Sequence, residues 1–286
     1  MRRYNNAFIV CLVAIFWSGT SYAVQVSIDS FSISSSTLSF TDTFSNDGQP
    51  PPCGPNGCAT QPTFYGVNGT IPSTAQSGGF LQLNSSNGVL GTNATGGARI
   101  DQTVQVGGSK SQLYSSTAGA ISMTGVFTLS TLSGPLNEGY GIRFIDALPG
   151  SGPGTNKQVL ELNVQWWTGN ASNPPGWYIR YLVQDFNLNT ITTIDADLVS
   201  IPTGGNEIWL NLSRSAGSND FSASYAYGTG GTVGSQVSLG SATGFLYETY
   251  VRGQFQAFAT VPEPTTMLLL GSGLVGLLGL RRKIKK

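Results

Sequence analysis

Apolar and polar residues alternate with a period of two along much of this chain. In residues 159–166, four apolar side chains fall on one face of an extended strand, while Glu161, Asn163 and Gln165 fall on the other. Residues 208–213 and 221–227 alternate in the same way. Further strands are predicted near residues 99–106, 120–129, 139–145, 177–186, 191–198 and 251–259.

The connections between these segments are short and rich in Gly, Pro, Asn and Ser from about Leu38 to Ala259, and no long helical stripe interrupts them. Short turns between alternating strands are typical of antiparallel sheets with one face on a core. The pattern therefore predicts an all-β domain, an antiparallel two-sheet sandwich with its sheets packed face to face.

Residues 177–197 are predicted to form a hairpin that turns at residues 187–189. The segment 185–189 has the Asp-x-Asn-x-Asn opening of a calcium-binding loop. However, Thr190 stands where that loop needs Gly, and Ala196 stands where it needs a bidentate Glu. The sequence favours a turn over a calcium site, and we expect no bound metal or cofactor.

The first residues have the three parts of a secretory signal peptide. Arg2 and Arg3 precede an apolar run over residues 7–17, and Ser21-Tyr22-Ala23 supplies small residues at the cleavage positions. This order predicts export of the chain, with signal peptidase cutting after Ala23 and residues 1–23 removed.

The last residues combine a rigid tripeptide, an uncharged stretch and a basic tail. Pro262-Glu263-Pro264 is followed by the uncharged residues 265–280 and then by a tail that begins with Arg281 and Arg282. A hydrophobic helix over 265–280 would be about 24 Å long, against a hydrocarbon core of about 30 Å. We expect a transient membrane anchor with its C-terminus in the cytoplasm, the alternative being a permanent tail anchor.

These C-terminal residues resemble the PEP-CTERM sorting signal. The resemblance rests on Pro262-Glu263-Pro264, the Leu- and Gly-rich stretch ending at Leu280, and the arginines Arg281 and Arg282. It implies recognition by an exosortase, a membrane-embedded cysteine protease-like enzyme of Gram-negative bacteria that make exopolysaccharide. The chain then divides into a signal peptide (1–23), a β-sandwich domain (24–260) and a sorting segment (261–286). Its destination would be the cell surface or the extracellular matrix.

The middle of the chain resembles the concanavalin A-like lectin and glucanase sandwich, which includes laminin-G-like domains. Four segments carry this resemblance, namely residues 42–45, 78–83, 208–214 and 220–225. It implies a jelly-roll arrangement of the strands. It also implies either glycan binding or glycan hydrolysis.

Charge and composition narrow the possible functions. Charged residues make up 10% of the chain, against roughly 25% in an ordinary soluble domain. Residues 24–260 contain seven basic and thirteen acidic residues, a net charge of −6. Binding to nucleic acid is excluded, because it needs clustered Lys and Arg on the folded domain.

The residue types available restrict the chemistry further. The chain has no histidine, which excludes hydrolases with a His base and metal sites with His ligands. The glucanases of the resembled fold carry Glu-x-Asp-x-x-Glu on one strand. Here Glu161 is followed by Asn163 and Trp166 in place of the two other carboxylates, so we expect no enzyme activity, with a glycoside hydrolase kept as the alternative.

Aromatic residues gather on both sides of the loop at 169–176. Flat aromatic faces stack on sugar rings and amides bind hydroxyls, so the candidate carbohydrate-binding residues are Trp167, Trp177, Tyr178, Asn170 and Asn173. Trp167 and Trp177 are the ones expected to be exposed. The alternative is that most of these aromatic residues belong to the core.

Two cysteines, Cys53 and Cys58, flank a Pro-Asn-Gly turn. An exported chain meets an oxidising compartment, which favours a local disulfide over a metal or redox pair.

Together, these features predict an exported structural or glycan-binding component of exopolysaccharide or biofilm. Its partners would be the export machinery, an exosortase-type enzyme and extracellular polysaccharide. The alternatives are a carbohydrate-active enzyme and a structural surface protein without a ligand.

Overall fold

A computed structural model describes residues 24–35, 39–44, 65–68, 76–77, 79–106, 114–115, 119–129, 137–147, 158–199, 206–243 and 250–260. The predicted signal peptide, Cys53, Cys58 and the sorting segment 261–286 lie outside these residues. Within the described part of the chain, no helix is long and apolar enough to cross a membrane.

The described residues form strands and one short 3-10 helix, at Ser85–Asn87. In chain order the strands are β1 (Gln25–Ser35), β2 (Ser39–Asp42), β3 (Tyr65–Asn68), β4 (Gln76–Ser77), β5 (Phe80–Asn84), β6 (Val89–Thr92), β7 (Ala98–Val106), β8 (Tyr114–Ser115), β9 (Ile121–Thr128), β10 (Glu138–Ala147), β11 (Gln158–Trp167), β12 (Gly176–Asp185), β13 (Thr190–Leu198), β14 (Glu207–Arg214), β15 (Phe221–Thr229), β16 (Thr232–Val233), β17 (Val237–Ala242) and β18 (Tyr250–Thr260).

The strands pair into two antiparallel sheets. Sheet A has the order β16-β15-β14-β9-β1-β5-β4, with β17 beside β15 and β2 beside β1. Sheet B has the order β13-β12-β11-β10-β18-β7-β3, with β6 beside β7 and β8 beside β18. The prediction of an all-β, two-sheet antiparallel sandwich is confirmed, and each of the nine predicted segments is a strand.

The core lies between the two sheets and is built from the apolar faces that the alternation predicted. Aromatic rings pack across it in pairs. Phe31 of β1 lies 4.8 Å from Phe255 of β18 between ring centroids, and Phe127 lies 5.2 Å from Tyr140. Tyr181 of sheet B donates a hydrogen bond to the Phe221 carbonyl oxygen of sheet A. The first and last described strands therefore meet in the middle of the sandwich.

Strand β1 was not among the predicted segments, which began near Leu38. It lies inside sheet A, paired with β5 and β9. Its buried residues are Val26 and Ile28 before a bulge, and Phe31 and Ile33 after it. The bulge between Ile28 and Ser30 shifts the buried side chains from even to odd positions. A strict period-two count misses this strand for that reason.

The described residues include Val24, the residue that follows the predicted signal cleavage point. Val24 is buried, and its backbone N–H donates to Ser85 Oγ at 2.8 Å. The Ser85 N–H donates in turn to the Val24 carbonyl oxygen at 2.8 Å. These two bonds tie the start of β1 to the 3-10 helix that follows β5.

Candidate functional site

One face of sheet B turns away from sheet A, and we call it the outer face of sheet B. Cross-strand pairing aligns its side chains in rows. Asn163 lies opposite Arg180 on β12 and Gly141 on β10, and Gly141 lies opposite Gln256 on β18. A Cβ at Gly141 would collide with the Leu162 carbonyl oxygen and Asn163. Because Gly141 has no side chain, the side chains of Asn163 on β11 and Gln256 on β18 can meet across β10.

A network of charged groups occupies the centre of this outer face. The Glu161 carboxylate accepts hydrogen bonds from Arg99 Nη1, Arg99 Nη2 and Arg143 Nη1, each at 3.3 Å. Asn163 Nδ2 donates to the same carboxylate at 2.9 Å. Asp101 Oδ1 accepts from Arg99 Nε at 2.5 Å, so two carboxylates balance two guanidinium groups.

Amide side chains complete the network. Arg99 Nη2 donates to Gln256 Oε1 at 2.8 Å, and Gln256 Nε2 donates to Asn163 Oδ1 at 3.1 Å. The Arg99 guanidinium also lies 3.9 Å above the ring of Phe258. Glu161, Asn163 and Gln256 are almost fully buried. Burial of these groups is tolerated because the bonds satisfy them.

The charges around Glu161 fix its protonation state. Burial alone would raise the pKa of this carboxyl group, but the charges of Arg99 and Arg143 outweigh burial and lower the pKa to about 2. A glycosidase acid needs the opposite shift, towards neutral pH. Glu161 is therefore held as an ionised partner of two arginines and is poorly suited to donate a proton.

Trp167 lies at the end of the same outer face and is half-buried. Arg180 places its guanidinium 4.4 Å from the centre of the indole. Tyr178 meets the indole edge-on, with 5.4 Å between ring centroids. Tyr178 itself is buried, and its hydroxyl donates to the Pro174 carbonyl oxygen at 2.7 Å. Tyr178 therefore orients the Trp167 indole and the loop, and it offers no exposed ring face to a ligand.

Trp177 is half-buried like Trp167, but it lies on the other face of sheet B and does not share a surface with Trp167. It is the direct cross-strand partner of Trp166, 5.3 Å away between ring centroids, and it packs against the core. Partners directly opposite each other in an antiparallel pair share a face. Since Trp166 faces the core, Trp177 faces it too.

The loop between β11 and β12 brings Asn170 and Asn173 beside Trp167, and both are exposed. Asn170 Oδ1 accepts the backbone N–H groups of Ser172 and Asn173 at 2.8 and 2.9 Å. The Asn170 N–H donates to the Asn173 carbonyl oxygen at 2.9 Å. Asn170 therefore shapes the loop, and Asn173 presents its side chain to solvent.

Arg180 was not predicted as a site residue, although it is two positions after Tyr178 and therefore lies on the same face of β12. It donates to Gln165 Oε1 at 3.3 Å and to Thr193 Oγ1 at 2.9 Å. Among the described residues, no carboxylate lies within ion-pair distance of it, and its Nε has no hydrogen-bond acceptor. Burial lowers the pKa of Arg180, and the charge of Glu161 partly offsets that shift.

The side chain of Asp185 is engaged within the turn at 186–189 that joins β12 and β13. Asp185 Oδ1 accepts the N–H groups of Asn187 and Leu188 at 2.9 and 3.0 Å. Asn189 closes the turn in the left-handed region, with φ of 52°. The carboxylate therefore serves the turn geometry, and the predicted hairpin is confirmed.

Residues 260–283 match the PEP-CTERM protein-sorting motif. The chain carries an exosortase sorting signal. That signal implies export and passage through a membrane-anchored state by way of the C-terminal region. The predicted motif residues Pro262, Glu263, Pro264, Arg281 and Arg282 all fall within the matched range.

The solved structures that resemble the chain include lectins. Lectin II from Ulex europaeus is 12% identical, with 70% of this chain and 85% of that chain covered and a TM-score of 0.40. Lectin I-B4 from Griffonia simplicifolia, in a metal-free form, is 17% identical, with 70% and 90% covered and a TM-score of 0.41. The Ca2+/Man-bound exoplasmic/lumenal domain of VIP36 is 10% identical, with 70% and 80% covered and a TM-score of 0.38. Likenesses this distant support no inference about ligands. No curated protein sequence matches the chain.

Proposed function

We propose that this chain is an exosortase-sorted surface protein whose sandwich binds polysaccharide outside the cell, as a component of an exopolysaccharide matrix. The binding surface is the aromatic end of the outer face of sheet B, formed by Trp167 and the loop that carries Asn170 and Asn173. We propose binding without hydrolysis.

The observation that supports this site is the fixed orientation of a half-exposed indole. Arg180 and Tyr178 hold Trp167 from two sides, so little side-chain freedom is lost when a sugar stacks on it. Asn173 lies exposed in the adjoining loop and supplies both a donor and an acceptor for hydroxyl groups. A rigid aromatic residue next to exposed amides is suited to a neutral or weakly charged glycan.

The positive charge of Arg180, which has no ion-pair partner among the described residues, favours weakly acidic glycans over neutral ones. Its guanidinium lies under the indole, and no carboxylate among the described residues forms an ion pair with it, so the charge of Glu161 acts on it only from a longer distance. A glycan that carries carboxylate groups would gain electrostatic attraction at this end of the sheet. Binding of an acidic polysaccharide should therefore weaken as ionic strength rises.

The variant Trp167→Ala tests the site. We expect its retention by the polysaccharide of the producing cells, measured by affinity electrophoresis, to weaken up to about tenfold, since an aromatic contact contributes about 0.5–1.5 kcal/mol. Leu188→Ala is the matched control, because Leu188 is 66% exposed at the opposite end of β12. Its retention should equal that of the wild type.

Two results would contradict the proposal. Equal retention of Trp167→Ala and the wild type would remove the site, and a wild type that is never retained would leave a structural protein without a ligand. The rival hydrolase is tested on the same polysaccharide by release of reducing ends. We expect none above background, because Glu161 is ionised and bound to Arg99 and Arg143.

The sorting segment follows the sandwich almost without a linker. Strand β18 lies inside sheet B and ends at Thr260, two residues before Pro262. Before processing, the folded domain would therefore be held close to the membrane surface. We expect the extracellular form to begin at Val24 and to end near Pro262, which intact-mass spectrometry of the secreted protein measures.

A substitution in the motif tests the same step. Glu263→Ala should leave the protein in the membrane fraction with a mass that extends to Lys286. Lys285→Ala lies beyond the matched residues and should be processed like the wild type. Secretion of Glu263→Ala at the normal mass would show that sorting does not depend on this tripeptide.

A further inference from the structure

The outer face of sheet A, which turns away from sheet B, is polar but almost uncharged. One row of direct cross-strand partners runs over five strands and consists of Ser32, Thr124, Asn211, Ser224 and Ser238. The neighbouring row is made of Ser34, Ser122, Ser213, Ser222 and Ser241. Adjacent strands in a sheet lie about 4.8 Å apart, so hydroxyl groups repeat at that spacing across the surface.

A groove of about 220 Å³ lies on this face. Among the residues that the structure describes, its lining contains no charged side chain and consists of Thr124, Trp209, Asn211, Ser224, Tyr225, Ala226, Val233 and Gln236. Trp209 is the large aromatic residue in the middle of the face, and it is half-buried. The groove is far from Trp167 in the architecture, because the two residues lie on opposite outer faces of the sandwich.

The sequence positions Trp209 through a glycine on the next strand. A Cβ at Gly228 would lie 2.6 Å from the Trp209 Nε1 atom. The indole therefore leans over Gly228, and its nitrogen is buried with no hydrogen-bond partner in the described part of the chain. The nitrogen edge of the indole therefore occupies the space that a side chain at position 228 would take.

The polar side of the groove is also prearranged. Asn211 Nδ2 donates to Thr124 Oγ1 at 2.9 Å and to the Met123 carbonyl oxygen at 3.4 Å. Both bonds use the amide nitrogen, and no described residue donates to Asn211 Oδ1, so this oxygen is available to accept a bond from a ligand hydroxyl. The hydroxyl groups of Thr124 and Ser224 flank it in the same row.

The opposite wall is held by a tight turn. Gly230 and Gly231 have positive φ values of 57° and 80°, as a two-residue hairpin turn requires. The Gly231 N–H donates to Glu207 Oε1 at 3.0 Å and Oε2 at 3.1 Å. The turn sets β16 beside β15 and thereby places Val233 at the edge of the groove.

We propose that this groove is a second carbohydrate site, specific for a neutral sugar unit that stacks on Trp209 and bonds to Asn211, Thr124 and Ser224. Hydroxyl and amide side chains without charge match the hydroxyl groups of a neutral sugar, and the indole matches its apolar ring face. A charged ligand would find no countercharge in the lining.

A second site would change what the molecule can do in a matrix. Sites on opposite faces of one rigid sandwich allow it to hold two polysaccharide chains at once. This cross-linking rests on the proposed function of the Trp167 surface, whereas binding in the Trp209 groove does not depend on it.

The test uses the exported protein and a panel of neutral oligosaccharide probes, namely gluco-, manno- and galacto-hexasaccharides, with tryptophan fluorescence as the readout. We expect at least one probe to change the fluorescence of the wild type. Trp209→Ala should lose that change, and isothermal titration calorimetry should show about tenfold weaker binding. Gln236→Ala, at an exposed position of the wall, should weaken binding without altering the fold.

Ser213→Ala is the matched control, because it lies on the same face in the neighbouring row and outside the lining. Its affinity should equal that of the wild type. No response of the wild type to any probe at millimolar concentration overturns the proposal, as does equal affinity of Trp209→Ala. Loss of probe binding in Trp167→Ala with normal binding in Trp209→Ala would reject the groove and leave the proposed function standing.

Discussion

Replacing Phe255 with Ala should lower the free energy of unfolding by about 4 kcal/mol, the typical cost of truncating a buried phenylalanine. Phe255 is fully buried on β18, and its ring lies 4.8 Å from Phe31 and 6.0 Å from Phe44 between centroids. The truncation removes one ring from a three-ring cluster that joins both sheets. The cavity cannot be refilled without moving β1 against β18.

The measurement is chemical denaturation of the secreted protein, followed by tryptophan fluorescence. Phe255→Leu is the conservative comparison and should cost less than about 1.5 kcal/mol, because most of the volume is kept. Leu90→Ala, at a residue that is 66% exposed, should be close to neutral. A Phe255→Ala variant within 1 kcal/mol of the wild type would show that the sheets do not depend on this contact.

The position of Phe255 also bears on when the protein folds. Phe255 lies in β18, the last described strand, and its ring packs on Phe31 of β1, the first described strand. This core contact can therefore form only when both strands are present. Contacts between residues so distant in sequence slow folding.

Where one face of a strand is apolar and the other polar, the sequence alone predicted the structure. Strands β11, β14 and β15 have that simple alternation, and their boundaries lie within about two residues of the predicted ones. Strand β1 was missed because its bulge changes the parity of the buried residues between Ile28 and Phe31. A period-two count cannot cross a bulge.

The faces of β12 could not be assigned from the sequence. Tyr178 and Leu182 alternate with Trp177 and Tyr181, so both faces carry large apolar or aromatic groups. Both faces are buried in the structure, which removes the contrast that a pattern needs. The pairing of Trp177 with Trp166 and the packing of Trp177 against the core show that it belongs to the core side.

The two polar surfaces differ in how far sequence could have revealed them. Trp209 and Asn211 alternate out of phase with the apolar residues of β14, so their outward direction was available from the sequence. The groove beside them was not, since β15 and β16 supply its other wall. Likewise, Arg99 and Glu161 are 62 positions apart, and no local pattern joins them.

Replacing Glu161 with Gln should destabilise the sandwich by about 3 kcal/mol at neutral pH, the range expected when one partner of a buried ion pair is removed. Arg99 and Arg143 would then share a single carboxylate, Asp101, in a nearly dry environment. Asp195→Asn is the matched control, because it also removes one carboxylate charge but at an exposed position, on β13. It should cost no more than about 0.5 kcal/mol.

The same residue gives the wild type a defined acid sensitivity. Because the folded protein lowers the Glu161 pKa from 4.5 to about 2, the unfolded chain binds this proton more readily than the folded one. The stabilisation is fully present above the ordinary glutamate pKa and is lost as pH falls towards 2. Denaturation curves recorded between pH 6 and pH 2 should therefore show a fall in stability that Glu161→Gln lacks. Parallel curves for the two proteins would mean that Glu161 is not held ionised by the arginines, and the network would then contribute nothing to the acid response.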